Sequence, residues 1–536
     1  MANKSVSDRF AEIVSNLGVQ SVFTLTGGHI VPLLDSCSKK GLEIIDVRHE
    51  QTAVFAAEGY SRISGKLGVA IVTAGPGVMN SINSVASAYF SNVPLLLVGG
   101  RHLRSQEGRG GLQEFDHPPL LESITKYSGS IMGPEDFEKK MQTALNYAYE
   151  SRGGPVFLDI PLDVQFEYIK KKNQPIKIAN QEKINPNEKK LIKQIKKEMD
   201  KVKKPVLLIG SRVENIKKIN FIVKESAIPV YLSGQARGTI PYSSKQNFSR
   251  SRSYALQNAD LVLALGVDFD FRLKYGNNIS SKAKIITVDS DKAKLAWNVD
   301  PYISINSTPD QFIDAYSNEK IETKYDEWTK EVKRVEIEKS KNIEDSIKEH
   351  KGFHPEHFAK LVSDYIGSNS IVAVDGGDIV SSTARKLKIS KPGWLLEPGP
   401  FGSLGTGPGH ALGAKIAKRK KNVFIIFGDG GFGFNGFEFD TFVRLKIPIV
   451  GIIGMDGVWN NIKTFHEMIS PGDTVAATLG DRPYHKVVES LGGYGELVKR
   501  PEDLIPALER AIKSGKPSLI NVKLDRVKRS SSNYEM

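Results

Sequence analysis

The sequence predicts an α/β protein built of three consecutive doubly wound domains, and three observations carry that prediction. Short, continuous apolar runs alternate with amphipathic helical patterns along the whole chain. Two polar, charge-rich stretches, near residues 169–203 and 320–352, interrupt this alternation and divide it into thirds. The 536 residues also correspond to three or four domains at roughly 150 residues each. Domains are expected at 1–170, 188–340 and 353–536.

The apolar runs of the first third are 21-SVFTLTG-27, 68-GVAIVTAG-75 and 93-VPLLLVGG-100. Those of the second are 205-PVLLIG-210, 260-DLVLALG-266 and 284-KIITVDSD-291, and those of the last are 371-IVAVDGG-377, 422-NVFIIFGDG-430, 447-IPIVGIIG-454 and 518-SLINVKL-524. Strands this uniformly apolar are covered on both faces, as parallel strands in α/β sheets are. In the lysine-rich 189–204 stretch, Leu191, Ile192 and Ile195 fall at helical spacing, so its lysines coat a solvated helix face.

Composition narrows the function classes. Hydrophobic (40%) and charged (25%) contents are those of globular protein and exclude a largely disordered chain. No apolar run approaches the ~18 residues that span a bilayer, and the first residues lack the apolar core of a signal peptide. The expectation is a cytoplasmic protein with no membrane partner. One cysteine, Cys37, excludes an internal disulfide and a cysteine-built zinc site; it lies on an apolar helix face and is assigned no chemistry. A net charge of +13 suits nucleic acid, an anionic membrane surface or polyanionic small molecules alike; nothing in the sequence resembles a nucleic-acid module, so no nucleic-acid partner is expected.

Segment 422–459 is the richest in chemistry. A strand runs into Gly428-Asp429-Gly430, then a glycine-rich loop, a helix and a second strand ending at Asp456. Glycines let backbone approach a phosphate, and two carboxylates at neighbouring strand ends can share a hard divalent ion. Two readings compete. Gly431-x-Gly433-x-x-Gly436 followed by Asp456 is a dinucleotide fingerprint; the alternative is a metal-bridged diphosphate site of the thiamine-diphosphate type.

The segment 47-VRHEQTAVFAAEGYSRISGKLGVAIVTAGPGVMNSINSVASAYFSNVPLLLVGG-100 favours the second reading, because it resembles thiamine-diphosphate enzymes block by block. The resemblance covers nearly the whole chain. Its details, 24-TLTGGHIVPLL-34, 109-RGGLQEFDH-117, 375-DGGDIVSSTA-384, 398-PGPFGSLGTGPGHALGAK-415 and 438-EFDTFVRLKIPI-449, look like the acetolactate-synthase-like branch that contains 2-hydroxyacyl-CoA lyases. It implies pyrimidine-binding, central and diphosphate-binding domains in that order.

Carried over residue by residue, the resemblance makes Glu50 the carboxyl group facing N1′ of the aminopyrimidine, where a buried acid supports removal of the C2 proton. Gly75 and Pro76 contact the cofactor, and Leu404 is the bulky residue beneath it. Gly428, Asp429, Gly430 and Gly431 hold the diphosphate end. Asp429 is the first Mg²⁺ ligand, Asp456, 27 residues on, is the second, and the carbonyl of Val458 is the third. Relatives usually place asparagine at the second position, so Asp456 departs from the pattern, and Asn460-Asn461 lies too far along to replace it. His29 and Gln113 are placed with Glu50 among the catalytic candidates; Trp459, Asn461 and Glu467 face substrate. His410 is read as packing.

Two further implications concern ligands. Segments 266-GVDFDFRL-273 and 287-TVDSD-291 stand where relatives hold a non-catalytic nucleotide such as ADP. The basic tail, with Arg526, Lys528 and Arg529, is either a loose end or a C-terminal lid over bound CoA. The implied reaction is cleavage of a 2-hydroxyacyl-CoA to formyl-CoA and an aldehyde or ketone, or its reversal. Pyruvate condensation of the acetolactate-synthase type is the alternative, and a catalytically silent nucleotide-binding homologue is a third reading. The assembly implied is a homodimer or homotetramer with Glu50 of one chain near Asp429 of the partner subunit.

Overall fold

The computed structural model describes residues 4–170, 176, 178, 186–210, 213–321, 323–472 and 474–527. It contains three six-stranded sheets, each parallel throughout and wound by helical crossovers. The first sheet holds β1 (Ser21–Leu25), β2 (Glu43–Asp46), β3 (Gly68–Val72), β4 (Leu95–Arg101), β5 (Tyr127–Ser130) and β6 (Pro155–Pro161), in the order β2-β1-β3-β4-β6-β5. The central sheet holds β7 (Pro205–Ile209), β8 (Val230–Leu232), β9 (Asn247–Phe248), β10 (Leu261–Leu265), β11 (Lys284–Val288) and β12 (Ile303–Ile305), in the order β12-β11-β10-β7-β8-β9. The last holds β13 (Ile371–Val374), β14 (Leu395–Leu396), β15 (Val423–Gly428), β16 (Val450–Met455), β17 (Tyr494–Val498) and β18 (Ser518–Lys523), in the order β14-β13-β15-β16-β18-β17.

Counted within each domain, the first and last sheets share one strand order, and the central sheet does not. In such sheets the order reverses at a switch point, and the crevice at the carboxyl ends of the strands there is where ligands bind. In the first domain that point lies between β1 and β3; in the last it lies between β13 and β15. Among the described residues no helix is long and apolar enough to cross a membrane.

The first and last domains share a continuous core, whereas the central domain has its own. The join is made by two helices, Glu50–Ser64 and Thr406–Ala417, whose backbones nearly touch. A Cβ at Gly413 would lie 2.0 Å from the Ala56 carbonyl oxygen, and one at Gly59 2.5 Å from that of His410. Between the helices, His410 packs edge-on to Phe55 and its Nε2 lies 3.2 Å from the buried Glu58 carboxylate. Burial pushes the His410 pKa down, so its expected packing role holds, with a polar partner added.

One structural expectation is corrected. The glycine-rich stretch after β15 is not a loop but a helix, Asp429–Asn435. Phe432 anchors it in the core, and Gly430 and Gly431 serve close packing: a Cβ at Gly430 would meet the Trp459 ring at 2.3 Å and one at Gly431 the Asp375 carboxylate at 3.1 Å, whereas Gly433 has open space around it. The 186–199 helix buries Ile192 and Ile195, as its spacing predicts.

Candidate active site in two halves

The first half lies at the carboxyl ends of β13, β15 and β16. A cleft there is lined by Gly376, Gly377, Asp378, Gly428 to Gly431, Asp456 and Val458 to Ile462. Asp429 is buried; its Oδ2 accepts the Gly457 amide at 2.8 Å and its Oδ1 the Gly430 amide at 2.9 Å. The half-buried Asp456 accepts the Val458 amide at 3.2 Å. The turn that carries it is pinned from outside by a Val458–Thr478 bridge and by the Trp459 amide on the Ala477 carbonyl. Burial first, and then the Asp456 charge, push the Asp429 carboxyl up to about 7. Two facing carboxylates that repel each other are a donor set completed by a hard divalent cation, and the residues present fit one.

The walls of the cleft depend on two acids that motif reading did not single out. Asp375, fully buried, accepts the amides of Gly376 (2.7 Å), Gly405 (2.9 Å) and Gly407 (2.9 Å). It thereby ties the end of β13 to the loop bearing Leu404 and to the start of the 406–417 helix. Leu404 is half-buried, and its Cδ2 sits 2.1 Å from where a Gly376 side chain would begin. Asp378 receives the Asn460 side-chain amide at 2.8 Å across the cleft. The available signal was DGGD at a strand end, the same acid-glycine texture as GDG. Trp459 and Asn461 line the cleft, whereas Glu467, on the Asn460–Ile469 helix, is not among its lining residues.

The second half lies at the carboxyl ends of β1, β3 and β4. Glu50 opens the 50–64 helix, is 6% exposed, and accepts the Asn80 side-chain amide at 3.0 Å. Thr73 joins the other two candidates: its hydroxyl donates to Gln113 Oε1 at 3.4 Å and lies 3.3 Å from His29 Nδ1. Burial, then the neighbouring His102, push His29 below its ordinary pKa, which leaves a neutral ring at pH 7. Gly75, at φ +55° and ψ −109°, caps the short Pro76–Met79 helix. Glu50, His29 and Gln113 line no part of the third-domain cleft. Among the described residues, the two halves of one chain therefore have separate linings.

The remaining expected positions lie outside the two halves. Asp268 and Asp289, in the central-domain segments 266–273 and 287–291, pair with Arg152 of the first domain, whose Nη1 and Nε lie 2.7 and 2.8 Å from them. The dinucleotide reading fails, because a Cβ at Gly436 would meet the Phe432 ring at 2.7 Å and the fingerprint glycines lie in or beside a helix. Cys37 is buried and its thiol is pushed up to about 12 by burial, so it is inert. Arg526 is exposed; Lys528 and Arg529 lie outside the described residues.

Comparison with known proteins agrees with this geometry. The thiamine pyrophosphate enzyme N-terminal TPP binding domain matches residues 4–120, the central domain of these enzymes 192–316, and their C-terminal TPP binding domain 375–522. An acetolactate synthase large subunit of Mycobacterium tuberculosis is 34% identical over 516 residues, covering 95% of this chain and 93% of its own. A 2-hydroxyacyl-CoA lyase 2 of Danio rerio is 34% identical over 564 residues (96% and 90%), and that of Homo sapiens is 31% identical over 573 (97% and 90%). With both halves of the site falling inside the matched terminal domains, the chain belongs to the thiamine pyrophosphate enzyme family.

Proposed function

We infer that the chain is a thiamine-diphosphate- and Mg²⁺-dependent carbon–carbon lyase that cleaves a 2-hydroxyacyl-CoA to formyl-CoA and an aldehyde or ketone, and runs the reverse condensation. The observation that carries the cofactor part is the placement of Asp429 and Asp456 after β15 and β16 in one cleft, where a divalent ion would relieve the repulsion between them. Asp456 thus serves as a ligand in place of asparagine, which argues against the silent-homologue reading. Thiamine diphosphate, when bound, supplies the carbon nucleophile that makes such bond cleavage possible.

The chain's own groups have separate tasks. Asp429, Asp456 and the Val458 carbonyl hold the cation. Gly428, Gly430 and Gly431 keep side chains away from the diphosphate, and Leu404 supports the cofactor from the Gly376 side. Glu50, buried and oriented by Asn80, holds or releases a proton at the pyrimidine end. Gly75 and Pro76 form the turn beside it. Neutral His29 and Gln113, with Trp459 and Asn461, face the reacting carbonyl, and Glu467, outside the cleft lining, is left without that role. The tail residues Arg526, Lys528 and Arg529 attract the CoA phosphates, which suits a net charge of +13.

The same reading requires a homodimer or homotetramer with active sites at the subunit interface. The two half-sites of one chain do not share a cleft, so each cleft meets the first domain of a partner subunit. Exposed apolar side chains support this: Val31, Met79, Leu112 and Phe115 lie near the first-domain half, and Phe434, Phe437 and Ile462 near the other. Pyruvate condensation is the second reading, favoured by the 34% identical acetolactate synthase relative. Turnover of purified, cofactor-loaded protein with pyruvate and with 2-hydroxyacyl-CoA decides between them. Formyl-CoA release is the expected result, and acetolactate formation with no formyl-CoA overturns it.

A further inference from the structure

We propose that His117 is a positioning residue that, through the Gly75 amide, holds both ends of the first-domain half-site, Gln113 and the Asn80–Glu50 pair. The proposal rests on the thiamine-diphosphate reading. His117 and Asp159 are each 0% exposed, so neither reaches a ligand directly. The Gly75 N–H donates to His117 Nε2 at 2.9 Å. A backbone amide can only donate, so Nε2 is the acceptor and the ring proton sits on Nδ1. That proton meets Asp159 Oδ2 at 2.9 Å, and Arg101 Nη1 lies 3.3 Å from the same oxygen. The aspartate therefore fixes the tautomer that the Gly75 bond requires.

Gly75 needs such an anchor. Its φ of +55° with ψ of −109° is a conformation open to glycine and strained for other residues. A Cβ there would also meet Gln113 Cβ and O at 3.0 Å, so the Gln113 backbone rests directly on the turn. On the other side, the Gly75 carbonyl accepts the Met79 amide at 3.0 Å and starts the one-turn helix that ends at Asn80. Asn80 is the residue that orients Glu50. Rotation of the Gly75 peptide would move Gln113 and Asn80 together.

Two substitutions separate the ring's two bonds in the full-length chain. His117→Gln carries an oxygen where Nε2 stands and keeps an acceptor for Gly75; His117→Asn keeps a donor toward Asp159 and loses that acceptor. Two readouts are used: amide hydrogen exchange of residues 73–80 in cofactor-free protein, and C2–H exchange of bound thiamine diphosphate. His117→Asn is expected to raise the amide exchange and to slow C2–H exchange about 10²-fold, the cost of a ~1 Å misplacement. His117→Gln is expected to stay near wild type in both. Wild-type behaviour of His117→Asn, or equal damage in both variants, overturns the proposal. If His117→Asn does not fold, Asp159→Asn replaces it, with the same loss expected and wild-type behaviour again overturning it. A wild-type chain that binds no thiamine diphosphate fails the cofactor reading itself, and the proposal falls with it.

Discussion

The first and last domains share a strand order, so their residues can be compared place by place, and the same places hold different chemistry. After the first strand of each comes a glycine pair: Thr26-Gly27-Gly28-His29 in one, Asp375-Gly376-Gly377-Asp378 in the other. After the third strand stand Thr73-Ala74-Gly75-Pro76 and Asp429-Gly430-Gly431. The last domain offers carboxylates and bare backbone, the means of holding a cation and a phosphate. The first offers neutral hydrogen-bonding side chains and the buried Glu50, the means of moving a proton. The scaffold decides where a site sits, and the few residues after each strand decide what it does.

The comparison breaks most visibly at Asp429. Asp429→Ala is expected to abolish retention of thiamine diphosphate and Mg²⁺, measured by calorimetry, because the last domain would lose its central cation ligand. Glu50→Gln, in the first domain, is expected to leave that binding intact while slowing C2–H exchange by ~10²–10⁴-fold, the usual range for a lost acid–base group. Equal loss of binding in both variants would mean that the two halves do not divide the work.

Asp375 sharpens the contrast through pH. Burial raises its carboxyl to about 6 from 3.8, against three amide donors that lower it. Between these values the folded state holds the proton more tightly than the unfolded state, so stability falls as pH rises from about 4 to about 6. Two pKa units correspond to about 3 kcal/mol. Asp375→Asn is expected to flatten that part of the curve of melting temperature against pH; an unchanged slope would remove Asp375 as its source.

Smaller effects test the seam and the cation. Gly413→Ala places a methyl group against the Ala56 carbonyl and is expected to cost about 1–3 kcal/mol of stability by overpacking, read by denaturant unfolding. Asp456→Asn keeps an oxygen ligand and removes a repulsive charge, so Mg²⁺ affinity is expected to stay within about tenfold of wild type. A complete loss would show that the second carboxylate charge is indispensable.

Much of this was legible in the chain. The apolar runs announced parallel strands, since a strand covered on both faces has no polar side to show. Strand-end position put Asp429 and Asp456 at the same sheet edge, and the resemblance nominated them as cation ligands. Glu50 was found through the resemblance of its surroundings. Asp375 and His117 were not singled out. Asp375 binds amides 30 and 32 residues away, and His117 meets Gly75 and Asp159 each 42 residues away, and no local pattern records such partnerships.

By itself, then, the sequence determined the α/β character and the series of three domains, and it put Asp429 and Asp456, the pair proposed to hold a cation, at neighbouring strand ends, because periodicity and strand-end position are local properties of a chain. Tertiary structure alone decided that the first and last domains share a strand order and a core while the central one keeps its own. It decided that the glycines after β15 pack a helix against Trp459 and Asp375 instead of looping round a dinucleotide. It also decided that Arg152 engages the acids of the central domain. Each of these outcomes turns on which distant surfaces meet and how closely two backbones approach, and burial sets those only once the strands are ordered.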